Sequence, residues 1–550
     1  MLDVNIQTEK APASVINDFS ILFGTINGSG SATANTTIMR ALFRMGIPVS
    51  GKNIFPSNIQ GQPTWYTIRV NENGFLARQE KNQIVVAMNA LTFKQDLATL
   101  VPGGVLFYAD DITQPTGRDD IILYPMAINQ LSKEANVPPK LVSYIKNMVY
   151  VGILAEMLGI NLDQIHEALE QHFEGKKTAI DSNFQAVVSA SEWARENLVK
   201  KDRYRVAASN KTDGCIITEG NKAGAMGAVF GGMQFCAWYP ITPATSLVER
   251  LDEYLPMFRR DPETGKDTFA VVQAEDELSA VGMAVGAGWG GLRSMTSTSG
   301  PGLSLMAEYL GLAYYAEIPL VLWDVQRMGP STGLPTRTSQ GDITFANFIS
   351  HGDTNFVLLF PGNMTECYEF GWKAFDLAEK IQSPVMILSD MDLGMNQWIC
   401  PAFKFPDTPI ERGKILWEEG LEAMLKNRNG DWGRYLDIDG DGIPYRTVIG
   451  NQHPRSGYFT RGTGHDDYSR YSEDPDTWER VCARIAKKFT TIIPDLPKPI
   501  IEKLDDPKFG MITVGSNELA MCEAQMMLQQ MGIPTDSLRI RSKPFGPEVE

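Results

Sequence analysis

Four stretches between residues 239 and 342 hold the side chains best suited to chemistry. Tyr239–Pro243 (YPITP) sets Thr242 between two prolines, which fixes a strand end where the threonine can face a ligand. Gln273–Ala280 (QAEDELSA) gathers Glu275, Asp276 and Glu277 at a strand-to-helix junction. Residues 291–308 (GLRSMTSTSGPGLSLMAE) and 324–342 (DVQRMGPSTGLPTRTSQGD) are rich in Gly, Ser, Thr and Pro and poor in large apolar groups. They make poor core, but as loops at the carboxyl ends of parallel strands they form a site. Any one alone reads as a turn, a helix cap or a solvated acid. Four in close succession point to one binding cleft.

Three other motifs carry less. Gly24–Gly30 (GTINGSG) lies between an apolar run and a helical stretch; a phosphate cradle and a tight strand-to-helix turn both fit it. It has neither the Lys-Ser/Thr of a P-loop nor the GxGxxG fingerprint. Asp437–Gly442 (DIDGDG) places Asp437, Asp439 and Asp441 as a calcium loop does, but position 12 is Val448 where a glutamate is needed. A bound Mg²⁺ or Ca²⁺ and an exposed acidic turn are its two readings. Residues 461–470 (RGTGHDDYSR) either line a site mouth or form a plain loop.

The elements that must position these residues follow from periodicity. Short apolar runs (FCAWYPIT, TFAVVQAED, IPLVLWDVQ, NFVLLFPG, SPVMILSD) alternate with helical stretches over residues 221–398, the pattern of a mostly parallel sheet covered on both faces. Residues 1–195 start with strand, glycine loop and helix, and read as a separate α/β domain with a helical end. Residues 196–220 are polar and aperiodic and are expected to form a linker. Residues 399–505, rich in Trp, Tyr, Arg, Pro and Gly, read as an extension or connecting region. Residues 506–550 begin a further strand–helix–strand unit that looks incomplete.

Composition excludes several functions. The 550 residues carry 50 Lys+Arg and 66 Asp+Glu, a net charge of −16, and lack a long basic tract, which argues against nucleic acid. No apolar run approaches a membrane span, and the first residues show no signal pattern, so a soluble cytoplasmic protein is expected. The six cysteines have no CxxC spacing and the five histidines no HExxH, so any redox centre lies on another chain.

YPITP, QAEDE, TSTSGPG and QRMGPSTGLPT resemble, in order and spacing, the alpha subunit of 2-oxoacid:ferredoxin oxidoreductases. The resemblance covers roughly residues 220–550, and residues 1–195 look like the family's gamma domain fused in front. NIFPSNIQGQPTWY (53–66) is similar to the subgroup acting on 2-oxoglutarate. The resemblance implies an α/β chain whose residues 221–398 form a doubly wound pyrimidine-type thiamine-diphosphate domain, followed by part of a transketolase C-terminal-like domain. It implies oxidative decarboxylation of 2-oxoglutarate to succinyl-CoA and CO2, reversible and able to run toward CO2 fixation, with pyruvate or several 2-oxoacids as alternative substrates. A non-catalytic nucleotide-binding subunit is the remote alternative. Thiamine diphosphate with Mg²⁺ would be shared with a beta subunit that also carries the [4Fe-4S] clusters, in an (αβ)2 assembly that takes coenzyme A as substrate and passes electrons to ferredoxin.

The family alignment gives Glu275 the role of hydrogen-bonding the cofactor's aminopyrimidine, with Tyr239 and Pro240 beside it. Asp276 and Glu277 then cap the following helix. Thr242 and Arg327 become substrate contacts, Arg327 as a bidentate fork for the 2-oxoacid carboxylate, with Thr332 and Thr336 next. Pairing of Arg327 with a nearby acid such as Asp324 is the structural alternative.

Overall fold

The structure, a computed structural model, describes residues 13–56, 61–112, 117–135 and 142–549. It resolves into two compact units, residues 1–217 with 397–399, and residues 218–396 with 400–550. Part of the NIFPSNIQGQPTWY stretch, residues 57–60, lies outside the described residues.

The first unit is a six-stranded sheet in the order Val49–Ile54, Pro63–Asn71, Asp18–Ile26, Asn82–Ala87, Leu100–Ala109, Ile122–Met126. Phe19, Ile21, Leu22 and Phe23 are all buried because the central strand is covered on both faces. The helix Val142–Leu158 is buried along nearly its whole length from Met148, with Glu156 alone half-buried, and packs against Lys177–Asn197. Residues expected as a linker belong to this unit instead. Tyr204–Arg205 pairs in parallel with Val15–Ile16, and Asp202 is held by Lys200 (3.0 Å) and by the Tyr124 hydroxyl (2.9 Å). Asp202, Tyr204, Val206 and Thr212 are buried and tie the segment down, while the polar residues between them stay exposed.

The second unit is built on a seven-stranded sheet in the order Ala270–Gln273, Phe235–Trp238, Ser294–Thr298, Leu320–Gln326, Pro384–Asp390, Val357–Leu359, Ser542–Lys543. The first six strands run parallel; Ser542–Lys543 is antiparallel to its neighbour. The last strand therefore completes this sheet, while Ile500–Glu502, Phe509–Val514 and Thr535–Ile540 form a small sheet beside the helix Glu518–Gln530. Among the described residues no helix is long and apolar enough to cross a membrane.

The segment expected as a connecting region does not stand apart. Its helix Pro475–Thr491 docks through Glu317, fully buried just after the helix Ala307–Tyr315. Glu317 accepts from both terminal nitrogens of Arg484 and from the Lys488 ammonium (3.1 Å), while Arg434 donates to its carbonyl (2.8 Å). Burial alone would push this carboxyl up, but the two cations outweigh it and hold it at about 2. A carboxyl depressed in the folded state adds stability above its unfolded value and loses it as pH falls through the folded value. Stability should therefore decline as pH drops from roughly 5 toward 2, and Glu317→Gln, which strands two buried cations, should cost about 3–5 kcal/mol at neutral pH. Urea melts of both proteins at two pH values measure this; a variant as stable as wild type would show that the triad does not anchor the helix.

Candidate active site

The sheet order explains why four distant stretches meet. Trp238 is paired with Gln273, Thr298 with Asp324 and Gln326 with Asp390, so the loops after these strands leave from one edge of the sheet. That edge is where ligands bind in parallel α/β sheets.

Arg327, directly after the Leu320–Gln326 strand, ties two of the loops together. Its Nη1 donates to the Thr242 carbonyl (2.6 Å) and its Nη2 to the Thr332 carbonyl (3.1 Å). The side chain is buried, and no ion pair to Asp324 forms, so the alternative pairing is corrected. Burial lowers the guanidinium's affinity for its proton, opposed by the charges of Asp342 and Glu277. A guanidinium carries five N–H donors, so two carbonyl bonds leave capacity for a carboxylate. The Thr332 side chain is exposed, and the half-buried Thr336 hydroxyl accepts from Arg337 (3.1 Å).

The acids of QAEDE divide three ways. Asp276 caps the helix Glu277–Trp289 by accepting from the Ser279 amide at 2.7 Å. Glu275 is exposed beside it, with no hydrogen bond or ion pair among the described residues. Glu277 is buried against Thr298 and Gly302: a Cβ at Gly302 would lie 2.0 Å from Thr298 Oγ1 and 2.8 Å from Glu277 Cγ. Only glycine allows the TSTSGPG turn to approach this acid. Tyr239 is half-buried and Pro240 exposed on the neighbouring loop. The hydroxyls of Ser297 and Ser299 are buried with no partner among the described residues, so polar capacity remains at this edge.

Sequence reasoning missed Gln326, Asp342 and Asp390, which support the site from beneath. Gln326 accepts from the Asp342 amide (3.2 Å) and donates to the Ser389 carbonyl (3.1 Å), and Asp390 caps the next helix at the Leu393 amide (3.1 Å). Gln326 and Asp390 lie in apolar strand runs, where the only available signal was a polar residue among buried neighbours.

DIDGDG takes no part. Lys414 donates to Asp439 (2.7 Å) and Asp441 (2.8 Å), and Asp437 accepts from the Gly442 amide (3.0 Å). The metal reading of Asp437, Asp439 and Asp441 is corrected: an ammonium already neutralises the turn, and among the described residues no acid, Cys or His cluster is placed to hold a metal. RGTGHDDYSR walls another cavity of about 600 Å³, around which Arg434, Arg455, Arg461 and Arg470 converge; its lining shares no residue with the Arg327 loop. GTINGSG is a strand-to-helix turn, with Gly30 left-handed (φ 86°), and it also walls a cavity of about 270 Å³.

Comparison with known proteins now decides the family. Residues 226–399 match the model described as pyruvate flavodoxin/ferredoxin oxidoreductase, thiamine diphosphate-binding, and residues 20–193 match pyruvate ferredoxin/flavodoxin oxidoreductase. The 2-oxoglutarate synthase subunit KorA of Methanothermobacter marburgensis is 37% identical over 60% of this chain and 82% of its own length. This chain belongs to the 2-oxoacid:ferredoxin oxidoreductases. The alpha subunit of 2-oxoacid:ferredoxin oxidoreductase 2 from Aeropyrum pernix is 29% identical over 95% of this chain and 87% of its own. The structure of 2-oxoglutarate:ferredoxin oxidoreductase from Magnetococcus marinus, determined with 2-oxoglutarate, coenzyme A and succinyl-CoA bound, superimposes with a TM-score of 0.87 at 28% identity, over 97% of this chain and 89% of that one. The two family matches fall one in each compact unit, and the thiamine-diphosphate-binding match covers the whole of the four-loop edge.

Two outcomes test the geometry of this edge. Gly302→Ala should destabilise the chain by about 1–3 kcal/mol, through overpacking against Thr298 and Glu277; an unchanged melting temperature would refute the close approach. Adding a chelator, or millimolar Ca²⁺, should leave the melting temperature of the purified chain unmoved, because Lys414 and not a cation balances the acidic turn.

Proposed function

We propose that this alpha chain works with a beta subunit to convert 2-oxoglutarate, coenzyme A and oxidised ferredoxin to succinyl-CoA, CO2 and reduced ferredoxin, reversibly. The observation that carries the reading is the Arg327 fork, which locks the YPITP and GPSTGLPT loops beside Glu275 on one sheet edge. The 2-oxoglutarate named for the Methanothermobacter and Magnetococcus relatives supports the substrate. Thiamine diphosphate supplies, when bound, the carbon nucleophile and electron sink for decarboxylation. Glu275 holds or moves a proton at the cofactor's ring nitrogen, and Tyr239 and Pro240 wall the same position. The remaining N–H donors of Arg327 hold the substrate's C1 carboxylate, with Thr242, Thr332 and Thr336 around it.

The beta subunit would bring the diphosphate-binding motif, its Mg²⁺ and the [4Fe-4S] cysteines, in an (αβ)2 complex. A face for it lies next to the site: Leu278 and Met283 are exposed on one side of the helix Glu277–Trp289, with Leu305, Tyr309, Met328 and Leu334 exposed nearby. The same reading puts the complex in the cytoplasm, where free coenzyme A and ferredoxin are met.

Co-purification with the beta subunit tests this directly. The complex should reduce ferredoxin on 2-oxoglutarate plus coenzyme A, and the alpha chain alone should not; activity from the single chain would refute the shared site. Because the matched family models are described by pyruvate, kcat/KM for pyruvate is measured in parallel and should be lower. Glu275→Gln should reduce kcat by at least about two orders of magnitude. Arg327→Lys should raise the 2-oxoacid KM by about 1.5–3 kcal/mol of lost charge-assisted bonding, with coenzyme A affinity unchanged.

A further inference from the structure

The strand Leu320–Gln326 is buried at every position, yet it carries an aspartate in its middle. Asp324 is 0% exposed, and neither of its carboxyl oxygens meets an N–H or O–H donor from another residue type. Against it stands the carboxyl of Asp342, whose Oδ2 is likewise buried without a partner among the described residues and whose amide is anchored on Gln326, two residues along the same strand. Two carboxylates cannot hydrogen-bond without a proton between them. Like charges this close in a dry site cannot both ionise.

The surroundings hold the pair in place. Asp324 and Gln326 share one face of the strand by alternation, and Gln326 receives the Asp342 amide at 3.2 Å. On the other face Trp323 packs against Gly224. Gly300 leaves room for Asp342, since a Cβ there would stand 2.7 Å from its Oδ1. The other titratable groups on the packed elements are Glu277 on the helix Glu277–Trp289, Asp390 and Asp392 beyond the adjacent strand, and Arg327 and Arg337 on the loop itself. Of these, Arg327 feels Asp342 directly.

We propose that Asp324 and Asp342 share one proton, and that this proton keeps Arg327 free to bind the substrate carboxylate. They act as positioning residues through Arg327. With the proton in place the pair carries one negative charge, and the Arg327 guanidinium stays on the Thr242 and Thr332 carbonyls. Without it the pair carries two, and the second carboxylate competes with the substrate for the same guanidinium. Burial raises the proton affinity of both groups; Asp342 raises that of Asp324 further, while Asp324 and the Arg327 charge oppose the rise at Asp342. An acid so raised adds stability at low pH that is lost as pH rises through its folded value.

This inference rests on Arg327 as the substrate-carboxylate contact, and its test separates the two. Infrared difference spectra of the reconstituted complex in H2O and D2O should show a protonated-carboxyl C=O band in wild type at neutral pH, absent from Asp324→Asn. Wild-type KM for 2-oxoglutarate should rise with pH, by up to about tenfold per unit above the release of that proton. In Asp324→Asn, whose amide donates permanently to Asp342, that rise should disappear. Asp342→Asn serves as the second variant if Asp324→Asn does not fold. Identical infrared spectra of wild type and variant would overturn proton sharing. A band that is present with KM profiles that coincide would overturn the coupling to Arg327. If Arg327→Lys leaves KM unchanged, the substrate assignment fails, while the infrared band still reports on the pair.

Discussion

A carboxyl group buried in the middle of a parallel sheet is the constraint on which the catalytic half of this chain depends. Strands covered on both faces ordinarily hold only apolar side chains, because a polar group there loses its water and must be satisfied by protein. Asp324 faces Asp342, eighteen positions along the chain, because the intervening loop returns to the strand that it left. Gln326 fixes the return through the Asp342 amide, and Arg327 fixes the outgoing side through two backbone carbonyls. Glycine at 300 lets the neighbouring TSTSGPG turn fit against Asp342, and glycine at 302 lets it fit against Glu277. Rigidity at the edge thus comes from polar groups under the loops, while the residues facing the cleft keep unused hydrogen-bonding capacity.

The second buried carboxylate works differently. Glu317 meets two cations and is fully ionised, so it ties the helix Pro475–Thr491 to the sheet domain by charge. Its orientation depends on complete neutralisation, since removal of either partner leaves an unpaired charge in a dry interior. Two acids buried in one domain are therefore pushed in opposite directions, decided by whether the neighbouring charge is a cation or another acid. DIDGDG follows the same logic at the surface: Lys414 stands among its carboxylates, and the turn is held without a metal.

Membership of the 2-oxoacid:ferredoxin oxidoreductases gives these arrangements a purpose. A 2-oxoacid presents a carboxylate next to its reacting carbon, and a guanidinium held by backbone carbonyls can receive it without first breaking an ion pair. Leu278 and Met283 leave apolar side chains exposed on the helix that follows Glu275. Catalysis by preorganised groups needs water excluded, and one chain with an open sheet edge does not exclude it.

The sequence by itself determined the alternation of apolar runs and helices, and with it the parallel sheet, as well as the four loops and the identity of Glu275, Thr242 and Arg327 as candidates. Strand spacing and Gly/Ser/Thr/Pro composition are local signals, and both are legible along a chain. The tertiary structure decided what depended on distant partners. It placed residues 196–217 in the first unit through Asp202 and Tyr204, docked the 475–491 helix on Glu317, and set Lys414 in the acidic turn. It also told the three acids of QAEDE apart, as an exposed carboxylate, a helix cap and a buried side chain. Their residue types are nearly the same. Their chemistry differs because burial and hydrogen-bond partners, which come from residues far away in the chain, set the protonation and reach of a carboxyl group.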